Sequence, residues 1–165
     1  MENKTIYFAK MREGAVIPSK RMEDGAFDIY ACFDEAYMII PPHQTVLVPT
    51  GLASAFSEDY VAILKERGST GSKGLGQRAG VIDSGYRGEW FVAVTNHNDR
   101  LLVIAKEEVV PNEGWEDAII YPYTKAICQC IMVEVPKLKT EEISYEALLS
   151  FESERGTGRL GSSGK

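Results

Sequence analysis

The sequence is poor in everything that marks a secreted, metal-stapled or membrane-spanning chain. Its longest apolar runs are short, such as LLVIA at 101–105, far below the roughly 18 residues needed to span a bilayer. The opening stretch MENKTIYFAKM has no apolar segment behind its charges, so neither a secretory leader nor a membrane location is expected. There are three cysteines and two histidines in 165 residues. An odd cysteine count without a C-x-x-C disfavours a disulfide framework and a zinc site alike. Cys128 and Cys130 lie on a period-2 apolar stretch that turns both thiols to one strand face. Together with Cys32 they read as buried thiols of a cytoplasmic protein. His43, after Pro41-Pro42, reads as a turn residue and His97 as a loop residue at a strand end, neither with a visible catalytic partner. Positive charge is also in deficit, with 18 basic against 24 acidic side chains and a net charge of −6. Non-specific nucleic-acid affinity comes from neutralised phosphates, so direct nucleic-acid binding is not expected. A small anion in a local basic pocket remains compatible with that balance.

Area scaling for a chain of this length gives a folded surface of roughly 8,100 Å², with about 70% of the unfolded surface buried. That suffices for one core. Short segments rich in Ile, Val, Tyr and Phe predict strands over 5–11, 27–33, 45–56, 60–66, 89–95, 101–107 and 125–135, with turn residues between them. Short helical turns are allowed near 119–124. The class is all-β: a sandwich, jelly roll or distorted barrel. One domain is expected over 1–140, a short helical insert or linker over 141–154, and a glycine-rich arm over 155–165. The arm RGTGRLGSSGK has no acid and is expected to be mobile unless a ligand orders it.

Two separated segments combine glycine, hydroxyl and positive charge. KERGSTGSKGLGQRAG (65–80) lets backbone N–H groups converge on an oxyanion, with Ser69, Thr70 and Ser72 as hydroxyl donors and arginine as a phosphate-matched fork. It is not a P-loop, because Lys73 is followed by glycine. The arm is the second cationic segment. Between them AGVIDSGYRGEW (79–90) reads as a β-hairpin whose bend carries Asp83, a carboxylate able either to deprotonate a water or to bond its own turn. Glu89 and Trp90 read as rim and packing residues.

In this order the pieces resemble the trimeric dUTP pyrophosphatase (dUTPase) family. GAFDIYAC (25–32) resembles its first motif, ERGSTGSKG (66–74) the second, AGVIDSGYRGEW the third, TKAICQCI (124–131) the fourth and the arm the fifth. PPHQTVLVPTGL (41–52) fits the run between the first two. The resemblance implies a distorted jelly-roll (β-clip) subunit, a homotrimer with active sites at subunit contacts, and Mg²⁺-assisted hydrolysis of dUTP to dUMP and pyrophosphate. That reaction keeps uracil out of DNA and supplies dUMP. By position, Asp83 would be the general base that activates water against the α-phosphorus. Tyr86 would lie against the deoxyribose, and Gly80, Val81 and Ile82, with Gln77 nearby, would read the uracil. Arg67, Gly68, Ser69, Thr70 and Gln129 would hold phosphates. Asp28 would contact the metal through water. Arg155, Leu160, Gly161, Ser162 and Ser163 would close over substrate from a neighbouring subunit. This chain departs from the family pattern where Gly68 follows Arg67, where Gln77 replaces an asparagine, at Tyr123-Thr124-Lys125, and where Arg159 and Leu160 replace glycine and phenylalanine.

The resemblance admits other readings. A related dCTP deaminase carries a glutamate just beyond the third motif, but here the stretch is Phe91-Val92-Ala93-Val94. A regulatory protein of this fold would bind a protein partner, with 141–154 as its contact element. A purely structural jelly roll would leave the two cationic segments unexplained.

Overall fold

The computed structural model describes residues 4–107 and 114–158. Among these are twelve strands and two short helices. β1 (Tyr7–Lys10) pairs with β5 (Leu52–Ala55). β3 (Tyr37–Ile40), β10 (Leu102–Ala105) and β11 (Ile119–Pro122) form a sheet of order β11-β10-β3. β2 (Phe27–Ile29), β12 (Cys128–Glu134), β6 (Tyr60–Lys65) and β8 (Val81–Ile82) form β2-β12-β6-β8. β4 (Thr45–Pro49), β9 (Phe91–Asn96) and β7 (Leu75–Arg78) form β4-β9-β7. Every pairing is antiparallel except β10 with β11. The architecture is the expected all-β, jelly-roll-like one.

The small sheets share one main core, in which Trp90, Phe56, Ile29, Ile40, Leu64 and Leu102 are almost wholly buried. Burial of an aliphatic or aromatic side chain of this size stabilises by about 1.5–3 kcal/mol. Phe8 meets the Trp90 ring edge-on at 5.5 Å. β12 shows the period-2 logic plainly: Cys128 and Cys130 are buried while Gln129 between them faces outward. The three cysteines are free and buried.

Four local expectations are corrected. The segment 45–56 is two strands, because Gly51 at φ +66° turns the corner between β4 and β5. A Cβ there would sit 2.9 Å from that of Ala15. Residues 119–122 form a strand rather than helical turns, drawn into parallel pairing by β10. β3 and β7 add strands where none was expected. Finally, 79–90 is no simple hairpin. β8 pairs with β6, whereas β9 pairs with β4 and β7. The stretch is an excursion between β7 and β9 that leaves one sheet to add an edge strand to another.

Beyond β12 the chain leaves the core, and residues 133–157 are exposed throughout. The helix expected within 141–154 spans Tyr145–Leu149 (α2) and buries none of its residues. Ser144 caps it, its hydroxyl accepting the Ala147 N–H at 3.1 Å.

Candidate active site

The anion-binding side grows from the end of β6. Arg67 caps a single helical turn, α1 (Gly68–Gly71). Thr70 closes that turn: its hydroxyl accepts the Arg67 N–H at 3.0 Å and donates to the Arg67 carbonyl at 3.1 Å. Thr70 is fully buried, so it shapes the loop from beneath and its side chain does not face a ligand. Arg67 forms a fork with Asp28, Nε to Oδ1 at 2.9 Å and Nη2 to Oδ2 at 3.2 Å. Such bidentate, charge-assisted pairs fix orientation as well as energy. Asp28 on β2 faces Gln129 on β12, which faces Lys65 on β6. The Gln129 amide donates to the Glu66 carbonyl at 2.7 Å, tying β12 to the start of the loop. Asp28, Arg67, Gly68, Ser69 and Gln129 line one cleft of about 390 Å³.

Glu66 was not singled out from sequence, yet its carboxylate accepts the Gln77 N–H at 2.7 Å and pairs with Lys65 at 3.2 Å. Burial pushes its carboxyl upward, but the N–H groups of Gln77 and of Glu66 itself, with the Lys65 ammonium, outweigh this and leave its pKa lowered. Gln77 spends its side-chain amide on the Arg78 carbonyl at 3.0 Å. Burial pushes the Cys128 thiol far up and that of Cys130 up to about 12, so neither is a nucleophile at neutral pH.

The second cleft is built by the 79–90 excursion. Ala79 and Gly80 take positive φ, and the Gly80 carbonyl accepts the Leu64 N–H at 2.8 Å. This docks β8 on β6 and leaves the other edge of β8 without a strand partner. The Tyr86 N–H closes the following turn on the Asp83 carbonyl at 3.1 Å. Arg87 braces that turn from outside, donating to the Ser84 and Tyr86 carbonyls at 2.6 and 3.0 Å. The main chain thus does the turn's bonding. The Asp83 carboxylate is exposed and makes no ion pair or side-chain hydrogen bond among the described residues. Tyr86 folds back over Gly88, its hydroxyl donating to the Glu89 carbonyl at 3.1 Å.

Glu89 is itself clamped. Arg12 donates to it at 3.1 and 3.4 Å and the Gly51 N–H at 2.8 Å. This latch from the N-terminal segment was invisible in the sequence, because 77 positions separate Arg12 from Glu89. Gly80, Val81, Ile82, Asp83 and Tyr86 line a cleft of about 300 Å³.

These two clefts share no lining residue. Within one chain, Asp83 and Tyr86 are therefore not brought together with Asp28, Arg67, Ser69 and Gln129. Arg155 joins neither cleft; it bonds the Gly158 carbonyl of its own turn at 3.1 Å. Leu160, Gly161, Ser162 and Ser163 lie outside the described residues.

A family model described as dUTPase matches residues 12–111, a span that takes in the residues of both clefts apart from Gln129. The chain belongs to the dUTPase family. It is 32% identical over 166 residues to a deoxyuridine 5′-triphosphate nucleotidohydrolase of Bordetella pertussis, covering 97% of this chain and 95% of that one. It is also 32% identical to the protein of that name from Nautilia profundicola, covering 94% and 96%. Among solved structures, the Staphylococcus bacteriophage 80alpha dUTPase with dUPNHPP superposes with a TM-score of 0.77 at 22% identity, covering 98% of this chain and 99% of that one. A single-site mutant of the dUTPase from phage phi11 of S. aureus, described with a structural Mg(II) ion, gives a TM-score of 0.67 at 18% identity over 86% and 99%. The stretch in which a deaminase of related fold would carry its acid is here 91–94, the first four residues of β9, with Phe91 exposed, the other three buried and no acid among them.

Proposed function

We propose that this chain hydrolyses dUTP to dUMP and pyrophosphate, with Asp83 as the general base. The observation that carries this is the Asp83 carboxylate: exposed, unpaired and held beside Tyr86 by a turn that closes on its own main chain. A carboxylate free of partners can take a proton from a water aimed at the α-phosphorus. The base is read by backbone. β8 is an edge strand, so its outer N–H and C=O groups are available to a uracil edge. Tyr86, in the lining of the same cleft, packs against the deoxyribose and excludes a 2′-hydroxyl. Arg67, Gly68, Ser69 and Gln129 bind the phosphates, and positioning with charge stabilisation supplies most of the rate.

Mg²⁺ fits the donor chemistry of the phosphate cleft. Mg²⁺ commonly uses one or two carboxylates plus substrate phosphates and keeps several waters. Asp28, already held by Arg67, suits such a contact through water. When bound with the triphosphate, the ion would neutralise phosphate charge. Among the described residues no cluster of three His, Cys, Asp or Glu offers a protein-only cage.

The working unit is a homotrimer in which the base-reading cleft of one subunit faces the phosphate cleft of another. Two clefts without a shared residue and a C-terminal segment that is exposed from the end of β12 to residue 157 support this. The arm, with Arg155, closes over the phosphates from a neighbouring subunit. No helix of the described residues is long and apolar enough to cross a membrane. Three buried free thiols suit the cytoplasm.

The test is pyrophosphate release from dUTP, dTTP, dCTP and UTP, each with Mg²⁺ and with chelator. Hydrolysis of dUTP alone, dependent on Mg²⁺ and reduced by orders of magnitude in Asp83→Asn, is expected. Unselective hydrolysis, or an Asp83→Asn variant at full speed, would overturn the assignment.

A further inference from the structure

A third cleft, of about 370 Å³, lies between α1 and the turn that joins β11 to β12. It shares Arg67 and Ser69 with the phosphate cleft but is lined otherwise by Tyr30, Lys73, Tyr121, Thr124, Lys125 and Ala126. Three cations meet there with several hydroxyl-bearing residues and no carboxylate, in a chain whose net charge is −6. The phosphate cleft, by contrast, contains Asp24 and Asp28.

Neither the Lys73 nor the Lys125 ammonium has an ion-pair partner among the described residues. The Ala126 carbonyl, which would otherwise repel an anion, is already spent. It accepts the Tyr121 hydroxyl at 2.7 Å and Arg67 Nη1 at 3.3 Å. Arg67 thus stands as the wall between the two clefts, with Nε and Nη2 turned to Asp28 and Nη1 to Ala126. Two unpaired lysines and several hydroxyl-bearing residues, set beside an arginine already paired with Asp28, suit a small, dense polyanion.

We propose that this cleft is a second anion site that takes inorganic pyrophosphate, the leaving group, next to the place where it is released. The source of that pyrophosphate rests on the dUTP-hydrolysis reading; the cleft's chemistry does not. Pyrophosphate would then bind while a nucleotide still occupies the phosphate cleft, so that it leaves in two stages.

The experiment is inhibition of dUTP hydrolysis by added pyrophosphate, at fixed free Mg²⁺, in the full-length protein and in Lys73→Ser/Lys125→Ser. Both lysines are exposed, and an unchanged melting temperature would check the fold. In the native protein inhibition is expected to be mixed, since pyrophosphate binds with dUTP bound. In the variant the mixed component is expected to weaken about tenfold, the combined effect of two exposed ionic contacts, with kcat/KM for dUTP unchanged. Three results would overturn the proposal: purely competitive inhibition, inhibition that the variant leaves unchanged, or a parallel fall in kcat/KM that places the lysines in substrate binding. dTTP is the second arm. If it acts through the same lysines more tightly than pyrophosphate, the site belongs to a nucleotide and the assignment fails. Loss of dUTP hydrolysis in the native protein would instead refute the functional reading, and the two failures stay distinct.

Discussion

Three glycines of the 79–90 excursion look alike in sequence, and the structure ranks them. Gly80 takes φ +100°, and a Cβ there would lie 2.8 Å from the Leu64 carbonyl oxygen and 3.2 Å from the Leu64 Cβ. The obstacle is main chain in a paired strand, so no side-chain rotation relieves it. A non-glycine residue in such a backbone region costs about 1–3 kcal/mol. Overpacking against a fixed neighbour adds about 1–3 kcal/mol. Gly80→Ala should therefore destabilise by roughly 2–6 kcal/mol, or about 4–24 °C in melting temperature for a chain of this size. Relief by lifting β8 from β6 would move Asp83 with it, and a shift of about 1 Å at a reacting group costs roughly a hundredfold. Gly85 is the control: nothing lies within 4 Å of its added Cβ and its φ is not in the positive region. Gly85→Ala should change stability by less than about 1 kcal/mol, in the stabilising direction if at all. Thermal unfolding and kcat/KM for dUTP, read on both variants, decide the matter. Equal behaviour of the two would refute both the strained corner and the coupling of β8 to the position of Asp83.

Gly88→Ala places a Cβ within 2.4 Å of the Tyr86 hydroxyl. That is the far end of an exposed side chain whose bond to the Glu89 carbonyl would be displaced, so stability should fall by no more than about 1 kcal/mol while the UTP-to-dUTP ratio of kcat/KM rises about tenfold, near the value of one lost packing contact; competing-substrate assays would read it. Glu66 holds a carboxyl pKa below its ordinary 4.5. Its contribution is present above that value and is lost as pH falls through the lowered folded pKa. Denaturant midpoints compared near pH 6 and below pH 4 should show native protein losing stability on acidification that Glu66→Gln does not lose; identical pH dependence would refute the bridge to Gln77. Deleting 155–165 should cut turnover at least tenfold and leave the melting temperature unchanged, because 155–157 are exposed and follow a segment already outside the core; a truncated protein at full speed would remove the arm from the reaction.

Much of this was legible in the sequence, and the misreadings share one cause. The alternation through Cys128, Gln129 and Cys130 fixes which face is core, because a strand's period is local. Asp83 stood out as an acid at a tight, glycine-flanked turn, a local pattern that left open whether its carboxylate takes a proton from water or bonds its own turn; the turn closes on main chain instead. Partner choice is not local. Residues 81–82 and 89–92 read as two arms of one hairpin, yet β8 finds β6 and β9 finds β4 and β7. β7, with a glycine and two polar residues among its four, becomes a strand because β9 supplies its ladder. The sequence marks Arg67 and Asp28 as separate ligands, and the fold makes them one ion pair. Thr70 reads as an anion donor by composition, and burial turns it into the staple of the loop.

The buried thiols have a practical consequence. Cys32, Cys128 and Cys130 are all shielded, and the thiolate is the reactive form, so the folded protein should be silent toward maleimides. Any labelling of the native chain then counts its openings, the rarest being global. A cysteine placed at Tyr145, exposed on α2 just before the arm, would be the sole reactive handle. A dye there would follow the arm through a catalytic cycle against a dark background.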